Sequence, residues 1–175
     1  MTTDEYAMAD AVERALDTHD AFEPGADGYV LETTVFDVSV TATAAEGERD
    51  GAFEVTVVVP TLSAAAVDHV AEIVETDWAE TFERHVQDAF TVARTSTHDE
   101  PVVERTDDSL RVKLAFTAWD ATEGVSDAKA LAEYVEGTYA QGLIPGYEYR
   151  GPARSLQTNA QQRGQEPVDG GGPPL

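Results

Sequence analysis

Cysteine is absent from the 175 residues. That excludes a disulfide scaffold, a thiolate metal site and a cysteine nucleophile. No apolar run approaches the ~20 residues that a membrane-spanning helix needs. Lysine occurs only at Lys113 and Lys129, and basic residues total 11 against 34 acidic ones, a formal net charge of −23. Nucleic acid is a poor partner for such a chain, because binding it requires Lys and Arg to neutralise phosphates. The first residues, Met1-Thr-Thr-Asp-Glu, carry neither a basic n-region nor an apolar h-region. The expectation is a protein of the cytoplasm, without a secretory signal. No motif in the sequence specifies a reaction.

Apolar residues make up 42% of the chain, enough for one core, and the length suits one domain and a tail. The carboxylates are spread along the chain instead of collecting in one tail or on one face, as a nucleic-acid mimic would require. A charge of −23 is self-repulsive at ordinary ionic strength. At molar salt the Debye length falls to about 3 Å and the repulsion is screened. The composition is that of a protein working in a molar-salt interior.

Hydrophobic periodicity orders the elements. Met8, Val12 and Leu16 recur at intervals of four within Asp4 to His19, which predicts an amphipathic helix. Pro24-Gly25 and Asp27-Gly28 predict a loop. Tyr29 to Thr33 reads as a short strand. Phe36 to Ala42 and Phe53 to Val59 alternate apolar and polar residues around a Glu46–Gly51 turn, a hairpin with one greasy face and one wet face. Leu62 to Arg94 lacks Gly and Pro and predicts helix, either continuous or split near Thr76-Asp77 with Asp77 as cap. Val102–Arg105 and Leu110–Thr117 form a second hairpin around residues 106–109. A last helix is expected from an N-cap at Ser126 to about Tyr139, stopped by Gly142.

The fold class is therefore α+β: a five-stranded, largely antiparallel sheet with helices packed on one face, in the order α-βββ-α-ββ-α. One domain spans residues 1–154, and a Gln-, Gly- and Pro-rich tail, expected to be disordered, spans 155–175. This order of elements resembles the type III secretion chaperone-like fold, which implies a module that often dimerises and binds polypeptides. A second resemblance rests on Phe22-Glu-Pro24, on Phe53 to Pro60 followed by Thr61-Leu62, and on Trp78-Ala-Glu-Thr-Phe82. It rests also on Glu133-Tyr-Val-Glu-Gly-Thr-Tyr139 leading to Ile144-Pro-Gly-Tyr147-Glu-Tyr149. These runs resemble an uncharacterised conserved family of halophilic archaea, a resemblance that implies no activity.

Candidate chemistry is sparse. None of the four histidines, His19, His69, His85 and His98, lies in an HExxH pattern. His69 and His85 would stand about 24 Å apart along a continuous helix. His98-Asp99-Glu100 is the kind of triplet that a chain one-fifth acidic contains by chance. No serine has a G-x-S-x-G context, and Gly170-Gly-Gly172 lacks the strand and helix of a phosphate cradle. No cofactor or metal site is expected.

Aromatic residues supply the interaction candidates. Trp78 falls on an apolar stripe and reads as core. Trp119 follows the last strand, where it either covers the sheet edge or lines a partner surface. Tyr147, Tyr149 and Arg150 sit in a Pro/Gly loop, and Tyr and Arg are enriched at binding hot spots; the alternative is that these side chains pack back to close the core. The reading is a non-enzymatic protein-binding or chaperone-like module, with a polypeptide partner, a homodimer as an option, and neither nucleic acid nor membrane as partner. The alternative is a small-molecule-binding protein or enzyme with a cleft between sheet and helix.

Overall fold

A computed structural model describes residues 10–25, 28–43 and 51–165. The sheet is built first, because alternation is the strongest pattern in the chain. Strands β1 (Phe22–Gly25), β2 (Gly28–Leu31), β3 (Asp37–Thr43), β4 (Gly51–Pro60), β5 (Val102–Arg105) and β6 (Ser109–Ala118) form one sheet in the order β1-β2-β3-β4-β6-β5. Every neighbouring pair is antiparallel. The middle of the sheet is the ten-residue ladder of β4 on β6, from Gly51 opposite Ala118 to Pro60 opposite Ser109. Val38, Val40, Val55, Val57, Val59, Leu110, Val112 and Leu114 all point to one face and are at most 2% exposed.

There are six strands and not five. The extra one is β1, where Pro24-Gly25 predicted a loop. It survives as strand because it is the outermost one, where proline's missing N–H is tolerated. The turn to β2 needs Gly28, whose φ is +144° and whose added Cβ would lie 2.5 Å from the Val40 carbonyl oxygen. At the opposite edge, residues 97–99 pair with β6 through a bridge between His98 and Phe116. Glu100-Pro101 interrupts the pairing before β5 begins.

Helices cover the buried face. Of the predicted first helix, α1 (Asp10–Thr18) is described, with Val12 and Leu16 fully buried; residues 4–9 lie outside the described residues. The Tyr29 hydroxyl donates to Asp17 Oδ1 at 2.5 Å and ties α1 to β2. Helix α4 (Ala121–Gln141) lies over β4 and β6, with α1 on one flank and α3 (Glu72–Val86) on the other. It starts at Asp120 and not at Ser126: Asp120 Oδ1 accepts from the Glu123 N–H at 2.8 Å, an Asp-x-x-Glu capping pattern. Gly142 ends it, as the sequence predicts. The helix approaches the sheet so closely at Gly124 that an added Cβ would lie 2.3 Å from the Phe53 ring.

The stretch from Leu62 to Arg94 is split, though not at Thr76-Asp77, which lies inside α3. Helix α2 (Leu62–Ala65) stops after four residues, because Ala66 turns extended and pairs with Tyr149. The chain re-enters helix at Glu72. After α3, a 3-10 turn over Ala89–Val92 buries Ala89 and Phe90. The segment behind it is pinned by a buried carboxylate: Asp127 on α4, 2% exposed, accepts from the N–H groups of Arg94 and Thr95 at 2.8 and 3.0 Å.

The expected boundary at residue 155 does not mark the end of structure. Helix α5 runs Gly151–Gln165 and buries Ala153 and Leu156. Pro152 in its first turn is a helix-start signal, masked in the sequence by the polar composition that follows. The tail beyond residue 165 lies outside the described residues.

Candidate functional site: the open face of the sheet

A period of two sends the other half of each strand outward. The register lines these residues up in rows: Val30, Ser39, Thr56, Lys113 and Val102; Asp37, Val58, Arg111 and Glu104; Thr41, Glu54 and Ala115; Thr43, Ala52 and Thr117. None of them is buried. The helices therefore cover one face and leave the other to solvent.

The chemistry of this face departs from that of the chain. On the two central strands, β4 and β6, it consists of Ala52, Thr56, Val58, Ala115 and Thr117, with Glu54 as the sole carboxylate and Arg111 and Lys113 as cations. In a protein of net charge −23 this is a platform of small and β-branched side chains poor in carboxylates, with cations outnumbering them two to one. Lys113 pairs with Glu104 of the edge strand at 3.4 Å. A depression of about 170 Å³ at one end is lined by Ala52, Ala115, Thr117, Thr97, His98 and Asp99. One of about 360 Å³ at the other end is lined by Asp37, Val58, Pro60, Ser109 and Pro152.

The four residues singled out in the sequence do not converge. Trp119 follows β6 at one end of the sheet and is 60% exposed. Tyr147, Tyr149 and Arg150 lie against α2 at the other end. Tyr149 is 1% exposed, and its hydroxyl accepts from the Ile144 N–H at 2.7 Å. Burial raises its pKa, with a smaller opposing effect from that bond. Arg150 Nη2 donates to the Ala66 carbonyl at 2.8 Å. Tyr147 is half-buried, and its carbonyl accepts from Gln157 Nε2 at 3.0 Å. The Tyr149 hydroxyl closes the 142–150 loop on itself, while the Arg150 side chain and the Tyr147 carbonyl fasten that loop to the end of α2 and to α5. Trp78 is core, stacked on Phe82 and edge-on to Tyr139.

The space between sheet and helices is filled. Tyr139, fully buried, donates to the Pro60 carbonyl at 3.0 Å, and burial raises its pKa well above the usual tyrosine range. His98 stacks on Phe90 at 3.8 Å, with Nδ1 3.0 Å from the Asp99 carbonyl. Among the described residues no three His, Asp or Glu side chains come together to hold a metal ion, and no helix is long and apolar enough to cross a membrane.

Residues 17–159 match the model of DUF5813, a family of unknown function. The chain belongs to this family. The matched region of this DUF5813 member runs from the end of α1 into α5, so it takes in all six strands. No curated protein and no solved structure matches the chain. Sequence reading passed over the open face. Its signal was present in the outward half of each alternating strand, where threonine, serine and alanine stand in a chain otherwise rich in carboxylates.

Proposed function

We propose that this DUF5813 protein is a non-enzymatic protein-binding, chaperone-like module that receives a polypeptide on the open face of its sheet. The single observation behind this is the scarcity of carboxylates on that face, Glu54 alone on its two central strands, in a chain of net charge −23. Water-facing positions on such a chain often carry carboxylates elsewhere; here they carry Thr56, Val58, Ala52, Ala115 and Thr117 beside Arg111 and Lys113, with Glu54 the one carboxylate. The occupant is a polypeptide surface of small side chains. Interfaces are depleted in Asp and Glu and enriched in Arg relative to the remaining surface. The resemblance of the element order to the type III secretion chaperone-like fold supports the same reading. The acidic composition supports a home in the molar-salt cytoplasm of a halophilic archaeon.

The test is affinity capture on the immobilised full chain from lysate held at molar KCl, comparing wild type with a Thr56→Glu/Ala115→Glu variant. Both positions face solvent, so the variant should keep its circular dichroism. A polypeptide retained by wild type and lost by the variant is the expected result. Equal retention by both, or a metabolite as the sole captured species, would overturn the reading.

A further inference from the structure

Between Leu62 and Val86 the residues ask for one helix, and the structure contains two. The stretch has neither Gly nor Pro, yet α2 ends where Ala66 turns extended, at φ −83° and ψ 142°. Helix α3 begins behind Ala71, which makes no side-chain cap bond, and alanine is a poor residue at that position. Nothing local encodes the break.

The segment leading into α5 imposes it. The Val67 N–H donates to the Glu148 carbonyl at 2.8 Å, and the Arg150 N–H donates to the Ala65 carbonyl at 2.8 Å. Between them Ala66 pairs with Tyr149. Arg150 Nη2 donates to the Ala66 carbonyl at 2.8 Å and reaches the Val67 carbonyl at 3.4 Å. A helix crossing this point would need the same four backbone groups. The Val67 N–H would go to Ser63, and the carbonyls of Ala65, Ala66 and Val67 would accept from His69, Val70 and Ala71. Residues 148–150 occupy all four. A further tie is Glu75 of α3, whose Oε2 accepts from the Ser63 N–H at 2.9 Å. In one continuous helix those two residues would stand about 18 Å apart.

The side chains fit the unbroken form. Wound as one helix, 62–78 is amphipathic: Ala66, Val67, Val70, Ile73 and Val74 fall within an arc of about 120°, with Asp68, Glu72 and Glu75 opposite. Asp77 is the one charge inside that arc. In the broken form Ala66 and Val70 enter the core, while Val67 is left 47% exposed and Ile73 79% exposed. The segment that holds the break is itself lightly seated. Among the described residues α5 buries only Ala153 and Leu156. Ahead of it Gly146, exposed and at φ +92°, has open space around it and serves as a hinge.

We infer that residues 147–165 are a releasable strap that keeps the 62–86 helix in two pieces. On release, residues 66–71 wind up and join α2 to α3. The carboxylates along the outer side of the joined helix repel one another, and molar salt screens that repulsion. None of these residues lies on β4 or β6, so the strap stands separately from the function proposed above.

The test is NMR of the full chain in molar KCl, with Cα shifts reporting helix and amide exchange reporting opening. In wild type, 66–71 should show no helical shifts, and the Val67 and Arg150 amides should exchange at one common rate, because one event frees both. In Leu156→Asp/Arg150→Ala those amides should exchange about tenfold faster or more, the least that losing one buried leucine gives. Residues 66–71 should then take helical Cα shifts continuous with 62–65 and 72–86, while β4 and β6 keep theirs. A freed strap with 66–71 still extended or coiled would overturn the inference. So would a strap that stays bound in the double variant, or wild-type Val67 and Arg150 amides that open independently.

Discussion

Adding one methyl group to helix α4 should have opposite effects at its two internal glycines. At Gly124 an ideal Cβ would stand 2.3 and 2.6 Å from Cε1 and Cζ of Phe53 and 2.8 Å from the Ala118 Cβ. Phe53 is 2% exposed and stacks on Phe116 at 5.1 Å, so its ring has nowhere to go. Overpacking of this kind costs about 1–3 kcal/mol, and contact with both a ring and a strand residue places Gly124→Ala toward the upper end. Against that, alanine gains about 1 kcal/mol over glycine in a helix interior. The net expectation is a loss of about 1–2 kcal/mol. At Gly137, thirteen residues on and exposed, an added Cβ meets nothing within 4 Å. Gly137→Ala should therefore keep the whole gain of about 1 kcal/mol. Denaturant unfolding in molar KCl would measure both, and each kcal/mol should also move Tm by about 2–4 °C. If Gly124→Ala were as stable as wild type, the close seat of α4 on β4 and β6 would be wrong.

Three other outcomes are expected. Asp127→Ala removes the acceptor of two part-buried N–H groups, each bond to a charged group being worth about 1.5–3 kcal/mol. It should cost about 3 kcal/mol or more and abolish hydrogen-exchange protection at Arg94 and Thr95. The Tyr29 pKa is pushed up to about 12, first by its bond to Asp17, then by burial and the nearby charges of Asp17 and Glu13. Since the folded value lies above the unfolded 10.0, this stabilisation is complete below pH 10 and disappears as pH rises toward 12. Unfolding free energy should fall across that window, and Tyr29→Phe should fall less steeply. Finally, dilution from molar KCl to low salt should loosen and destabilise the chain, as seen by size exclusion and melting, because screening of its −23 charge is removed; unchanged compactness would refute the molar-salt adaptation.

Much of this architecture was legible in the residues. Strict alternation over Val38–Ala42, Phe53–Val59 and Leu110–Phe116 encodes three central strands and says which side of each is buried. Leu131, Val135 and Tyr139 encode the buried stripe of α4. The misreadings share a cause: local preference yielding to a tertiary partner. Ala64-Ala65-Ala66 favours helix, yet Ala66 is drawn into an extended pairing with Tyr149. Pro24-Gly25 favours a loop, yet an outermost position admits it to the sheet. Ser155 onward looks like a disordered tail, yet Leu156 enters the core. Tyr149 and Arg150 have the chemistry of a binding hot spot, and only the burial of Tyr149 and the bonds of the two to Ile144 and Ala66 reveal that they hold a loop in place. The carboxylate-poor centre of the open face was hidden because what distinguishes it is a scarce residue type, visible once the register brings the strands together.

The two borders of the sheet each hold a proline, Pro24 in β1 and Pro101 just ahead of β5. A proline offers no donor, so among the described residues neither border presents an unbroken row of donors for a passing strand to join. Growth by adding strand to strand, the route to fibrils, is thereby disfavoured at both borders.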